Sequence, residues 1–201
     1  MALLDWITPQ SSLALDGEGV RLRSPRWRDY EAWSNLRARS RDFLQPWEPV
    51  WPDDDLQRAA FRRRLAAYTR EIEAGGAYPF FVFRRADDAL VGGVTLSNIR
   101  RGVAQMATVG YWIGQPYAGQ GYMSAALPAL VDFAISGIGL HRVEAACVPE
   151  NEPSRRLLLK SDFQQEGLAR AYLKINGSWR DHLLFGMAPT GPSAEIDQRS
   201  V

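Results

Sequence analysis

One cysteine, two histidines and two lysines are all that this 201-residue chain holds of those types. Cys147 alone can form neither an internal disulfide nor a cysteine cluster, and with only His141 and His182 beside it no metal site is expected. No apolar run approaches the length of a membrane span, and the start of the chain lacks a basic segment followed by a long apolar one. A cytoplasmic protein without membrane contact is therefore expected. The formal net charge of +1 removes any bulk attraction to nucleic acid, so a charged partner must meet a local patch. Residues 89–131 contain no Asp or Glu. What remains is ordinary: 46% hydrophobic and 23% charged residues fit one soluble domain with a sizeable core.

Val20-Arg21-Leu22-Arg23 alternates as a short strand and is stopped by Ser24-Pro25, so residues 1–18 read as a loosely held arm. Trp27, Tyr30, Trp33, Leu36 and Arg37 follow helical spacing, with Asp29 and Glu31 near the start. Phe43-Leu44-Gln45-Pro46-Trp47-Glu48-Pro49-Val50-Trp51-Pro52 holds three prolines and two tryptophans. Proline excludes helix there, and the segment suits a buttress over the core or one wall of a cleft. Asp53-Asp54-Asp55 signals a long helix over 56–74, with Phe61, Leu65, Tyr68 and Ile72 on one face. Its other face (Arg58, Arg62, Arg63, Arg64, Arg70) reads as solvated, with a weak ribosome or RNA contact as the alternative. Strands are expected over 78–84, 89–97 and 103–113, a helix kinked at Pro128 over 124–135, and a strand over 141–148. Asn151 caps a short helix, and strands over 163–175 and 178–187 flank Asn176-Gly177, the strongest hairpin signal in the chain. The polar residues 188–201 read as a flexible tail, leaving a domain over 19–187.

Between the strand ending at Ile113 and the following helix lies Gly114-Gln115-Pro116-Tyr117-Ala118-Gly119-Gln120-Gly121-Tyr122-Met123-Ser124. Glycines on both sides of Gln120 let the backbone bend tightly and approach a bound group. The first amides of the helix lack intrahelical acceptors and sit at its positive end, so the turn suits an anion such as phosphate. Such turns are also common as plain connections.

In this order of elements the chain resembles the GNAT family of acetyl-CoA-dependent N-acetyltransferases, whose pyrophosphate loop falls on Ala118-Gly119-Gln120-Gly121-Tyr122-Met123. Gly121 matches; Ala118 and Met123 depart from the general pattern. The segment from Phe43 to Val50, Ser97-Asn98-Ile99-Arg100-Arg101-Gly102, Gly110-Tyr111-Trp112-Ile113-Gly114-Gln115, Gly119-Gln120-Gly121-Tyr122-Met123 and the run from Tyr172 to His182 are similar to the RimJ-type ribosomal-protein-alanine N-acetyltransferases, which tolerate Met at position 123. The resemblance implies an α/β (α+β) GNAT acyl-CoA N-acyltransferase fold, with a mixed, mostly antiparallel sheet of about seven strands flanked by about four helices. It implies acetyl-CoA as co-substrate, no metal, and a protein N-terminus as acceptor, above all the alanine of a small-subunit ribosomal protein. Main-chain groups of Ala118, Gly119, Gln120, Gly121, Tyr122, Met123 and Ser124 would hold the diphosphate. Tyr111, Trp112 and Ile113 would hold the thioester and pantetheine. Asn151 would contact pantetheine or simply cap its helix. Ser154 would protonate the CoA thiolate or merely satisfy local backbone, and Arg155, Arg156 and Lys160 would meet CoA phosphates or solvent.

The transfer needs a neutral amine, stabilisation of the carbonyl oxygen and a proton for the thiolate. An α-amine of pKa about 7.7–8.0 is roughly 10–15% neutral at neutral pH, against about 0.04% for a lysine of pKa about 10.4. An N-terminal acceptor therefore asks little of a base. The carboxylate that some relatives carry falls here on Leu173 or beside it, so that role does not transfer. Glu48 is the first candidate base, Glu144 the second and Asp181 the third, each with a structural carboxylate as its alternative. Trp47 and Glu48 would wall the acceptor side. Cys147 lies within a strand, where a buried inert thiol is expected, which favours direct transfer in a ternary complex. A small-molecule amine acceptor and a non-catalytic ribosome-associated module stay open, as do monomer and homodimer.

Overall fold

Alternation along β3 (Tyr78–Arg84) sends Phe80 and Val82 to one side of a sheet and Phe81 and Phe83 to the other. Both sides are apolar, so both must be covered. The computed structural model describes residues 13–189. In it, α4 (Tyr122–Asp132) and α5 (Glu152–Lys160) cover the Phe80 side, while α1 (Tyr30–Arg39) and α3 (Arg58–Glu73) cover the Phe81 side. Trp33 and Leu36 of α1 and Phe61 of α3 fill the second core, and Phe61 alone stacks or tilts against Tyr30, Trp33 and Phe81.

The sheet has eight strands: β1 (Ala14–Gly17), β2 (Val20–Arg23), β3, β4 (Leu90–Arg100), β5 (Met106–Ile113), β6 (Arg142–Cys147), β7 (Gln164–Ile175) and β8 (Ser178–Met187). Their spatial order is β1-β2-β3-β4-β5-β6-β8-β7, and every pairing is antiparallel except β5 with β6. That parallel pair joins only Met106 to Arg142, Ala107 to Val143 and Thr108 to Glu144. Beyond Thr108 the two strands part.

Expectation and structure differ in places. Residues 14–17 are not a loose arm but an edge strand on β2, and Gly17 packs against the Ala125 backbone of α4. With β1 the strands number eight rather than about seven, and a short α2 (Arg41–Leu44) makes the helices five. This α2 ends at Leu44, two residues before Pro46, so none of its hydrogen bonds needs the proline nitrogen. The long helix starts at Arg58, because Asp54 and Asp55 reach forward to Arg63 and Arg64 instead of capping it. Arg58 pairs with Glu31, and Arg62 lies over Trp27, so much of the basic face is engaged within the chain. α4 begins at Tyr122, two residues earlier than expected, runs through the exposed Pro128, and widens into a π-turn at Phe133–Gly137. Residues 1–12 and 190–201, which include most of the expected arm and tail, lie outside the described residues.

α1 also sets the end of β5. A Cβ on Gly114 would overlap the side chain of Leu36, so Gly114→Ala should cost about 1–3 kcal/mol of stability by overpacking. Leu36→Ala alone should cost about 2–5 kcal/mol. In urea unfolding the double variant should lose less than the sum of the two; strict additivity would show that the two residues do not press on each other.

Candidate active site

At the end of β5 the chain makes a 3-10 turn at Gln115–Tyr117, then passes Ala118 and two left-handed glycines, Gly119 (φ 73°) and Gly121 (φ 84°). Only glycine takes such angles freely, and a Cβ at either position would meet nothing within 4 Å. The turn is open to solvent, not packed shut. The first helical bond of α4 runs from Ala125 N–H to Gly121 O, and residues 119–124 find no backbone acceptor among the described residues. Among the described residues no side chain caps α4, and no acid stands in its first turn. Unpaired donors, a helix N-terminus and missing carboxylates make a cradle for an anion.

The turn is braced from both sides. Ser40, fully buried at the end of α1, accepts a 2.9 Å hydrogen bond from Gln115 N–H. Gln120 Nε2 donates to Pro116 O at 2.8 Å. Arg84 lies over the rings of Tyr117 and Tyr122, which bracket the glycines, and is itself held by Asp87. Neither Ser40 nor Arg84 is legible as a site residue in the sequence, since each sits in an element remote from the turn.

Where β5 and β6 part, α5 starts beside the opening. Asn151 Oδ1 accepts Ser154 N–H at 3.2 Å and so caps α5 as expected. The Ser154 hydroxyl meets the Tyr111 hydroxyl of β5 at 2.8 Å, a contact across the opening. Burial pushes the Tyr111 phenol up, only partly offset by its hydrogen bond to Ser154. Cys147, at the end of β6, also lies within reach of Ser154; burial pushes this thiol up, away from reactive thiolate. Arg155, Arg156 and Lys160 are exposed on α5, and the two arginines pair with Glu152.

The opposite face carries Trp112, whose ring packs edge-on against Phe81. Thr108 and Glu144 are direct parallel partners and share that face, so Glu144 stands at the vertex of the opening. Its carboxylate accepts a 2.9 Å bond from Arg142 Nε. Glu48 must be corrected as a base candidate. Both its oxygens are taken at 2.7 Å by the Arg37 guanidinium, and Trp51 Nε1–H adds a third bond of 2.7 Å. Arg37 in turn lies over Trp51 and Trp112. Glu48 is thus an anchor for the tryptophan-rich segment. Asp181, the third candidate, accepts Ala171 N–H at 2.8 Å and so holds the bulge of β7. Trp47 is half-buried beside the anchor, and Glu48 O accepts Asn176 N–H at 2.8 Å, tying this segment to the hairpin tip.

Comparison with known proteins agrees with this geometry. A profile of the acetyltransferase (GNAT) domain matches residues 20–164. The Bacillus subtilis (strain 168) protein named Probable N-acetyltransferase YjcK is 36% identical over 84% of this chain and 93% of its own. The ribosomal protein uS5-alanine N-acetyltransferase of Escherichia coli (strain K12) is 34% identical over 88% of this chain and 90% of its own. Among solved structures, Mycobacterium smegmatis RimJ in complex with CoA-disulfide superposes with a TM-score of 0.81 at 34% identity, over 88% of this chain and 86% of that one. The ribosomal-protein-S5-alanine acetyltransferase from Vibrio fischeri gives 0.82 at 30% identity, over 88% and 97%. The chain belongs to the GNAT family of N-acetyltransferases.

Proposed function

We propose that this N-acetyltransferase acetylates the N-terminal α-amine of a protein, the alanine of a small-subunit ribosomal protein above all, directly from acetyl-CoA in a ternary complex. The observation that carries the reading is the opening between β5 and β6, flanked by the uncapped glycine turn and bridged by Tyr111 and Ser154. Two relatives bear names for acetylation of a ribosomal-protein alanine and match along most of this chain, which supports the acceptor class.

In this reading, main-chain groups of residues 118–124 hold the diphosphate, and those of Tyr111, Trp112 and Ile113 line the path of the pantetheine. Ser154, on the α5 side, gives its proton to the departing thiolate. Glu144 faces the other side of the same opening, and an amine proton leaves through water toward it. Acid and base thus approach the reacting centre from opposite faces of the sheet. Cys147, held neutral by burial, takes no acetyl group. The tryptophan-rich segment walls the acceptor side, and its anchor at Arg37 fixes the wall in place.

Intact mass after incubation with acetyl-CoA tests the acceptor. A peptide with N-terminal alanine should gain one acetyl group and its N-terminally blocked counterpart none; gain on small amines alone would overturn the protein-substrate reading. Gly121→Val should abolish CoA binding by calorimetry, because a branched side chain at φ 84° is strained and projects into the anion's approach. Unchanged affinity would sink the assignment of the turn. Ser154→Ala should lower kcat about 10-fold or more with KM for acetyl-CoA little changed.

A further inference from the structure

We infer that Tyr111 is a positioning residue, whose hydroxyl donates to Ser154 Oγ and thereby turns the serine proton toward the sulfur of CoA. The inference rests on the reading of Ser154 as the acid and adds to it the group that makes a serine usable in that role. A seryl hydroxyl has one proton and rotates freely, so an acid built on it needs its oxygen held by a donor.

The surroundings of Ser154 supply one donor of the right kind. Its backbone is fixed by Asn151 Oδ1 at 3.2 Å, which leaves only the hydroxyl to be oriented. The Tyr111 hydroxyl stands 2.8 Å from Ser154 Oγ. Tyr111 sits three residues past Thr108, the last β5 residue that pairs with β6, so this contact spans the opening itself. Burial keeps the phenol protonated, so it can always donate. The other neighbour, the Cys147 thiol, is a weak hydrogen-bonding group and too poor a donor to set the rotor.

In the step so arranged, the amine nitrogen forms its bond to the acetyl carbon. The carbon–sulfur bond breaks with its electron pair going to sulfur, and sulfur takes the proton of Ser154 Oγ. The Tyr111 hydrogen bond stabilises the charge that grows on Oγ during this transfer and keeps its own proton. Ser154 recovers a proton from solvent as CoA leaves, and the surplus amine proton passes to water.

Bound CoA tests this without any acceptor. The thiolate absorbance of CoA on the protein is titrated against pH, with desulfo-CoA on the protein as blank so that the Cys147 thiol cancels. In the wild type the bound thiol should titrate about one unit below free CoA, about a tenfold bias toward thiolate. Ser154→Ala and Tyr111→Phe should each remove most of that shift, and the double variant should remove no more than either. Incorporating 3-fluorotyrosine at position 111, a stronger donor in the same place, should move the titration further down. In single-turnover transfer to the alanine peptide, Tyr111→Phe should lose about tenfold in rate, with CoA affinity unchanged and no added loss in the Ser154→Ala background. A Tyr111→Phe titration identical to wild type, or losses that multiply in the double variant, would overturn the inference while leaving Ser154 as acid. An unaltered titration in Ser154→Ala would overturn both, with the glycine turn still tested separately by CoA binding.

Discussion

Parallel pairing of β5 with β6 ends after three residue pairs, and the rest of the site follows from that early parting. A strand edge inside a sheet normally spends its N–H and C=O groups on its neighbour. Past Thr108, the β6-facing groups of β5 meet no strand among the described residues, so an extended ligand arm can take the place of a strand. Each of the two strands also runs into a helix at the same end of the sheet: β5 through the glycine turn into α4, β6 through Asn151 into α5. One opening therefore receives the N-termini of two helices. The glycine turn and the Tyr111–Ser154 pair are neighbours because the strands diverge, not because their residues are close in sequence.

The opening needs a rigid outer wall, and Arg37 provides it. Its guanidinium is nearly buried, forked onto both oxygens of Glu48, and layered between Trp51 at 4.1 Å and Trp112 at 5.0 Å. A buried ion pair has to offset a desolvation cost of several kcal/mol, and a single contact would not do so. Planarity, two parallel hydrogen bonds and ring faces above the cation are what arginine offers and lysine does not. Arg37 Nε finds no hydrogen-bond partner among the described residues, so the cluster is not optimised for stability alone. What it achieves is placement: the proline-rich segment is locked to β5 through Trp112 and to the β7–β8 hairpin through Asn176. The buttress alternative is thus what these contacts show.

Local chemistry was legible wherever the structure is local. Asn176-Gly177 gave the hairpin, and β8 runs over the residues expected. Glycines gave the turn and Asn151 the cap. Features set by distant partners were not legible. Ala14–Gly17 has too few residues to announce a strand and becomes one only by pairing with β2. Asp54 and Asp55 look like caps until Arg63 and Arg64 outcompete the helix end for them. Glu48 looks like a free acid in an aromatic loop because Arg37 lies eleven residues earlier, on a helix whose facing cannot be read from that loop. Tyr111 and Ser154, 43 positions apart, belong to different motifs and meet only in the fold.

Cys147 shows how burial decides between two chemistries at one spot. A thiol beside a serine hydroxyl, near the positive end of α5, has two features that favour thiolate, and a thiolate there would be a nucleophile for the acetyl group. Burial opposes both and prevails, holding the thiol protonated. Covalent transfer would first have to charge sulfur in an apolar site, whereas an N-terminal amine arrives already partly neutral from water. In the proposed ternary complex, direct attack by the acceptor avoids the costlier ionisation, and the charge to manage inside is that of the departing thiolate. A neutral hydroxyl with its oxygen held would suffice for that, and the hydroxyls of Tyr111 and Ser154 meet on the α5 side of the opening.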